Sequence, residues 1–450
     1  MNDKVLIIMP KIEKSKEFHH FPFGCLAIAA PLEKLGIKYD IFDERVTDEN
    51  AIIERLGEYA IVAVSMFTGY QTFRGHYWLK TIRACNPRAV TIVGGPHVSA
   101  LPEETARSPL VDFAVAGYGE NPFINLVVHL LSGKDIASVG QMNFPGVYSK
   151  HGAGVFGLPA PKTYKIHRDI EWNPLPYRRL NIQSYLNPKT RRVMYVSQYG
   201  CPGRCTFCAT PGTRKWTSKP LEIVYQDLET LDQLTEFRQI CFFDATLFTN
   251  RKRTMELVAH LDSRFPGRQW LADARAAELI HYTDDDLAAI KRCRAELIML
   301  VVGLETGSVR LAEDVVKKGR GHLQNFYEVA RRAHTAGIKI TSGVVFGFPG
   351  ETLEDLQQTT DYVREIRKIH PDFRISTTFF RALPGTELYD QVRAMGHVTA
   401  SSLEEWAELG SGNHYEYNKW SDPPWMTRSE IDRYQEGYQR FVDEHGAIMI

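Results

Sequence analysis

Three of the seven cysteines crowd into eight positions, Cys201-x-x-x-Cys205-x-x-Cys208, while Cys25, Cys85, Cys241 and Cys293 are scattered along the 450 residues. Thiolates are soft, charged ligands suited to iron and zinc. Three of them, rather than four, leave one iron of a cubane open to a further ligand. Gly200, Pro202 and Gly203 let the loop fold tightly around such a cluster. A closed zinc site needs a fourth Cys or His close by, and none lies between Tyr195 and Ile223. Zinc and chance crowding are the competing readings. An odd, mostly dispersed set of cysteines argues against a disulfide framework and for a reducing compartment, the cytoplasm.

A loop of this kind must be presented by something rigid. The apolar stretch 193–198 directly precedes it and opens a βα series with further strands expected at 239–244, 269–272, 297–303, 339–345 and 374–379. Six strands alternating with helical patterns indicate a partial or full β/α barrel, with chemistry at the carboxyl ends of the strands. Before it, strands expected at 5–9, 39–42, 61–65, 89–93 and 112–115 alternate with amphipathic stretches, so residues 1–145 are a doubly wound, flavodoxin-like domain. Residues 146–190, punctuated by Pro159, Pro161, Pro174, Pro176 and Pro188, read as an interdomain linker, because proline breaks both ladder and helix bonding. The barrel occupies 191–390. Residues 391–450 form a helical, aromatic segment with Trp406, Tyr415, Tyr417, Trp420 and Trp425. There Thr427 and Glu430 make a capping box for a helix presenting Ile431, Tyr434, Tyr438, Phe441 and Val442.

Composition narrows the function. Lys plus Arg equals Asp plus Glu at 54 each, which gives little electrostatic reason to bind nucleic acid. No apolar run reaches the ~18–20 residues of a membrane span. The N-terminal MNDKVLIIMPK reads as a first strand rather than a signal peptide.

With Phe207 before its last cysteine, the motif resembles the signature of the radical S-adenosylmethionine superfamily. The resemblance implies a 4Fe-4S cluster on Cys201, Cys205 and Cys208, with S-adenosylmethionine bound at the open iron. It further implies reductive cleavage to a 5′-deoxyadenosyl radical, with electrons from a donor such as flavodoxin or ferredoxin. The segment Val302-Gly303-Leu304-Glu305-Thr306-Gly307-Ser308 resembles the family's ribose-contacting strand end, with Glu305 as acceptor. Ser308 lies within that segment and is equally able to cap a following helix. The glycines Gly343 and Gly347 resemble the fifth-strand segment that approaches adenine, and Phe380 lies in the last-strand segment that closes the site. Asp244 stands where relatives place an acid near the methionine amine. Arg275 could pair with a carboxylate, although a surface salt bridge suits either residue equally.

The first domain resembles the cobalamin-binding domain of one large branch of that superfamily. The resemblance rests on Phe21-Pro22-Phe23-Gly24, Gly94-Gly95-Pro96-His97 and Gly117-Tyr118-Gly119-Glu120. It implies a glycine rim on which a corrin lies, with the loop carrying Thr68 and Gly69 nearest the cobalt's lower face. His97 is expected near the nucleotide tail as a hydrogen-bonding residue. The pattern Asp-x-His-x-x-Gly, which supplies a cobalt-ligating histidine elsewhere, is absent. A domain that keeps the fold without cobalamin is the alternative.

The resemblance therefore implies a cobalamin-dependent radical enzyme that methylates an unactivated carbon of a small molecule. A radical cyclase or rearrangement enzyme is the second reading. A transfer-RNA methylthiotransferase would need a second three-cysteine cluster, which Cys25 and Cys85 cannot supply.

Overall fold

The computed structural model describes residues 3–12, 20–141, 144–151, 154–157, 170–209, 216–293, 300–397, 399–411, 425–446 and 448–449. It divides into two compact units: Met1–Lys189 with Ala209–Glu236 and Thr399–Tyr415, and Thr190–Cys208 with Phe237–Val398 and Glu416–Ile450.

In the first unit, β1 (Lys4–Met9), β2 (Tyr39–Asp43), β3 (Tyr59–Ser65), β4 (Val90–Gly94) and β5 (Phe113–Val115) form a parallel sheet in the order β2-β1-β3-β4-β5. That is the doubly wound order expected from the sequence. The strands are almost uninterruptedly apolar because both faces are covered. Leu6, Ile8, Val62 and Val64 pack on one side with Trp78 and Leu79, and Val5, Ile7, Ile61 and Ala63 pack on the other with Ala29 and Leu32. The covering helices are α1 (Phe23–Lys34), α2 (Glu49–Ile53), α3 (Tyr70–Cys85), α4 (Pro96–Ala100), α5 (Pro102–Ala106) and α6 (Glu120–Leu131).

The stretch 146–190 departs from the expected linker. Its segments β6 (Val147–Ser149) and β7 (Phe156–Gly157) add two antiparallel strands beyond β5. The exposed edge of β5 offers a free ladder, and Val147 and Tyr148 bury against it. Further along, Tyr177 and Tyr185 each set a ring 5.3 Å from that of Phe21, and the Tyr185 hydroxyl donates to Asp43 at 2.8 Å. The prolines at 159 and 161 lie outside the described residues. Helices α7 (Leu221–Thr235) and α14 (Leu403–Ser411) also belong to this unit, so the expected C-terminal segment is divided between the two units.

In the second unit, β8 (Arg192–Tyr195), β9 (Gln239–Phe242), β10 (Gln269–Ala274), β11 (Leu300–Val302), β12 (Ile340–Phe346) and β13 (Arg374–Phe379) pair in parallel and in chain order. A seventh strand, β14 (Ile448–Met449), joins β13. Sequential parallel pairing is barrel topology. Residues 294–299, which include the start of the strand expected at 297–303, lie outside the described residues. The helices are α8 (Arg251–Arg264), α9 (Ala276–Leu279), α10 (Asp284–Arg292), α11 (His322–Thr335), α12 (Leu353–Ile369), α13 (Glu387–Ala394) and α15 (Arg428–His445). The expected capping box closes α15: Glu430 N donates to Thr427 Oγ1 at 3.3 Å, and Thr427 N donates to Glu430 at 2.7 Å. Ile431, Tyr434, Tyr438 and Phe441 are buried, as their spacing predicts. Tyr415, Tyr417 and Trp420 lie outside the described residues.

Candidate active site

The cysteine loop leaves the carboxyl end of β8 and is tied down at its start and its middle. At its start, Ser197 N and Oγ (both 2.7 Å) and Gln198 N (3.0 Å) donate to the Asp244 carboxylate. Asp244 is only 1% exposed, and burial pushes its carboxyl up to about 6 against those hydrogen bonds. Its oxygens hold the chain entering the loop, so the structure sets it as a brace where the sequence suggested an amine-facing acid. Within the loop, Gly200 takes a φ of 72° and Gly203 N donates to Cys201 Sγ at 3.3 Å. Thr206 anchors the middle, donating from N to Val316 O at 3.0 Å and from Oγ1 to Val315 O at 2.6 Å. Cys201 and Cys205 are half-buried, Cys208 is exposed, and all seven cysteines are free.

This donor set fits an iron–sulfur cubane. A cubane takes its three thiolates at separate corners. A side chain at Gly203 would bring its Cβ within 3.0 Å of the Arg275 guanidinium carbon, so glycine lets that cation lie over the loop. Arg275 Nη1 also donates to Glu278 at 2.7 Å.

Glu305 follows β11 with a φ of 64°, a left-handed backbone that a non-glycine residue adopts only under constraint. The constraint is visible: Glu305 N donates to Gly343 O at 3.0 Å and Val345 N donates to Glu305 O at 2.9 Å, continuing the ladder to β12. The Glu305 side chain receives Lys318 Nζ at 2.8 Å through Oε1. A Cβ on Gly303 would stand 2.5 Å from that Oε1, so this glycine makes room for the pair. Burial opposes the charge on Lys318, yet the facing Glu305 carboxylate raises its pKa overall. Lys318 was not singled out from the sequence. A lysine 13 residues beyond Glu305 carries no local signal of burial.

Of the remaining expected residues, Gly343 has nothing within 4 Å of where a Cβ would stand, leaving open space on the face of β12 beside Glu305. Gly347 makes a turn with a φ of 79°, and its N–H donates to Glu351 at 2.7 Å and to the Tyr434 hydroxyl at 3.0 Å. Ser308 is fully buried, donating to Asp355 at 2.6 Å and accepting from Leu311 N at 3.3 Å. That is the capping arrangement, not an open ligand group. Phe207, Phe348, Phe380 and Trp425 form a chain of ring contacts at 5.6, 5.6 and 5.9 Å.

Two polar groups of the strands were missed. Asp273 makes no hydrogen bond among the described residues, and burial together with the nearby Asp244 pushes it up to about 7. Thr341 Oγ1 is buried and likewise without a partner. Asp273 pairs in register with Val301, which pairs with Thr341. Each alternates with buried neighbours: Ala272 and Ala274, and Ile340 and Ser342. The sequence signal was an acid interrupting the apolar run Trp270-Leu271-Ala272-Asp273-Ala274.

In the first unit, the ends of β3, β4 and β5 form the glycine rim. Met66 N donates to Gly94 O at 2.8 Å, His97 N donates to Met66 O at 3.1 Å, and Gly117 N donates to Ser99 Oγ at 2.9 Å. Gly95 has a φ of 106°, and a Cβ there would lie 2.6 Å from Met66 O. The chain itself therefore demands that glycine. Gly94 differs: a Cβ would meet only Val115 O, at 3.5 Å, so its lack of a side chain leaves room at the rim. Gly69, with a φ of 114°, precedes α3, and Tyr118 stands at the end of β5 between Gly117 and Gly119.

His97 is not at an open rim. It is 1% exposed, its Nδ1 lies 3.0 Å from Thr68 Oγ1, and burial pushes it down to about 4. The neutral ring packs edge-on at 5.4 Å against Trp406 of α14. A cobalamin on this rim would be held by the strand-end residues around Gly94, with the buried His97 fixing Thr68.

Comparison with known proteins agrees with both units. The B12 binding domain model matches residues 14–127, and the Radical SAM superfamily model matches residues 195–363. An uncharacterized methyltransferase of Pyrococcus horikoshii is 25% identical over 316 residues, covering 69% of this chain and 64% of its own. The cytidylyl-2-hydroxyethylphosphonate methyltransferase of Streptomyces wedmorensis is 23% identical over 457 residues, covering 88% and 82%. The anaerobic magnesium-protoporphyrin IX monomethyl ester cyclase of Rubrivivax gelatinosus is 24% identical over 379 residues, covering 82% and 63%. The chain thus spans under two thirds of the length of the first and third of these. The solved radical S-adenosylmethionine methyltransferase TsrM of Kitasatospora setae, with cobalamin and a 4Fe-4S cluster bound, shares the fold. Its TM-score is 0.71 at 15% identity, covering 100% of this chain and 91% of its own. The chain therefore carries a B12 binding domain followed by a Radical SAM superfamily domain, and the two domains imply S-adenosylmethionine, a 4Fe-4S cluster and cobalamin as cofactors.

Proposed function

We propose that the enzyme transfers a methyl group to an unactivated carbon of a small molecule. The observation that carries this reading is the pairing on one chain of a three-thiol loop at the end of β8 with a strand-end rim that keeps Gly94 clear. Two relatives that are methyltransferases support it. When bound, the cluster supplies an electron for cleaving S-adenosylmethionine, and cobalamin supplies a methyl carrier. Within this chain, Cys201, Cys205 and Cys208 hold the cluster, and Arg275 and Thr206 fix the loop. Glu305, positioned by Lys318, receives the ribose hydroxyls. Gly343 admits the nucleoside close to β12, and Phe207 and Phe380 flank its base. A strongly reducing flavodoxin or ferredoxin supplies the electron, and the balanced charge supports a substrate other than nucleic acid. Free cysteines, and no described helix long and apolar enough to cross a membrane, support a cytoplasmic site.

The cyclase relative favours a second reading, oxidative cyclisation. Anaerobically reconstituted enzyme, given S-adenosylmethionine with a deuterated methyl group and candidate substrates, separates the two. Methyl transfer yields S-adenosylhomocysteine and 5′-deoxyadenosine in equal amounts and a labelled product. Cyclisation yields 5′-deoxyadenosine alone, with an unlabelled product that has lost hydrogen.

A further inference from the structure

We infer that α14 is a strap that sets the loop beneath bound cobalamin, with Trp406 and Gly410 as its positioning residues. The inference rests on cobalamin binding by the first unit and adds a part of the chain remote from that domain in sequence. The contacts converge on the segment between β3 and α3. The Trp406 ring closes over His97, whose Nδ1 is 3.0 Å from Thr68 Oγ1. Trp406 Nε1 donates to Glu104 at 2.6 Å, and Ser108 Oγ donates to Glu404 at 2.7 Å, fastening the strap to α5 and the turn after it. At the far end of α14, Gly410 lies so close to Gly69 that a Cβ would strike the Gly69 carbonyl oxygen. Thr72 Oγ1 donates to Phe67 O at 2.8 Å from the α3 side, so the four residues 66–69 are gripped by α3 and α14 together.

The geometry explains two things at once. His97 Nε2 is buried without a hydrogen-bond partner, an arrangement that persists because the indole fills the space into which the ring would otherwise turn. The same grip holds the loop at Gly69, whose φ of 114° is a backbone that only glycine adopts readily. Removing the indole frees His97 to rotate and releases Thr68, and the surface offered to the lower face of the corrin changes with it.

The test compares wild type with Trp406→Ala, Trp406→Phe and Gly410→Ala, each reconstituted anaerobically with iron, sulfide and hydroxocobalamin. Cobalamin per chain after gel filtration, the electron paramagnetic resonance spectrum of the Co(II) state and iron per chain are recorded. Trp406→Ala and Gly410→Ala should retain cobalamin about tenfold less tightly and give an altered Co(II) spectrum, with iron content unchanged. Trp406→Phe keeps a ring against His97 but loses the bond to Glu104, so it should restore most of the wild-type spectrum, which a loss of general stability would not do. If Trp406→Ala fails to fold, Glu104→Gln, which weakens the indole's anchor, should give the same change in milder form. Wild-type retention and spectrum in Trp406→Ala, or in Glu104→Gln should that be the variant used, overturn the strap. Wild type that retains no cobalamin overturns the cobalamin reading itself and the strap with it.

Discussion

Removing the Glu305 carboxylate should expose how the nucleoside side of the site is held together. The Lys318 side chain is 6% exposed and that of Glu305 15%, with Nζ and Oε1 2.8 Å apart. In Glu305→Ala the buried ammonium keeps one acceptor, Gly303 O at 3.3 Å. Breaking a buried pair from one side leaves an uncompensated charge and lowers stability by ~3–5 kcal/mol. Alanine does not relieve the left-handed backbone, whereas Glu305→Gly regains ~1 kcal/mol of it. Lys318→Met should be milder, because Glu305 retains some access to water. The double variant Glu305→Ala/Lys318→Met, with no stranded charge, should be more stable than Glu305→Ala alone, with a coupling of ~2–3 kcal/mol. The sign with pH is fixed by the raised lysine pKa. The pair's contribution is complete below lysine's ordinary value of 10.5 and disappears only as pH rises through the higher folded value, so melts at pH 8 report it in full. Anaerobic urea unfolding of the four proteins, followed by far-ultraviolet circular dichroism, gives the cycle. Strictly additive losses would refute the reasoning. Glu305→Gln then isolates the ligand role, and calorimetry should show S-adenosylmethionine bound ~1–3 kcal/mol more weakly.

Replacing Cys201, Cys205 and Cys208 together with alanine should remove about four irons per chain and all cleavage of S-adenosylmethionine; full iron content would contradict the assignment. Gly343→Val should fold normally, since no atom lies within 4 Å of the new Cβ, but should lose S-adenosylmethionine affinity in the same titration. Gly94→Leu should fold and keep its iron yet fail to retain hydroxocobalamin, whereas Gly95→Leu should destabilise the whole first unit, seen as loss of soluble protein. Burial and the nearby Asp244 push the Asp273 carboxyl up to about 7 from its ordinary 3.8, so the folded chain holds the extra proton and stability falls as pH rises through that window. Asp273→Asn should therefore stabilise by ~2–4 kcal/mol at pH 8 and by little at pH 4, measured by urea unfolding at both.

The strands were legible because parallel strands covered on both faces must be continuous apolar runs. Residues 374–379 were read to the residue, and the others to within a few positions at each end. The cysteine loop was legible because its ligands are local in sequence. What escaped was set by distance along the chain. Strands β6 and β7 are three and two residues long, too short for periodicity to register among prolines. Lys318 and Asp273 acquire their character from partners on other elements, and the φ of Glu305 follows from a bridge to β12. His97 was expected at the rim beside the nucleotide tail, but it is buried by an indole from 309 positions later, beyond the reach of any local pattern.

That separation has a consequence for biosynthesis. The first unit gathers residues from three stretches of chain, the last of them Thr399–Tyr415. Its sheet can assemble once residue 189 has emerged, but the face of α3 that receives α14 stays bare until residue 411 follows. At ~5–20 residues per second, the interval is roughly ten to forty seconds of synthesis. During it the nascent unit exposes Tyr70–Cys85 helix surface to solvent and to chaperones, and the loop at 66–69 is free of its second grip. A ribosome stalled between those two points should carry a domain with a native sheet and a cofactor rim not yet set, so that cobalamin is taken up late in synthesis or after release.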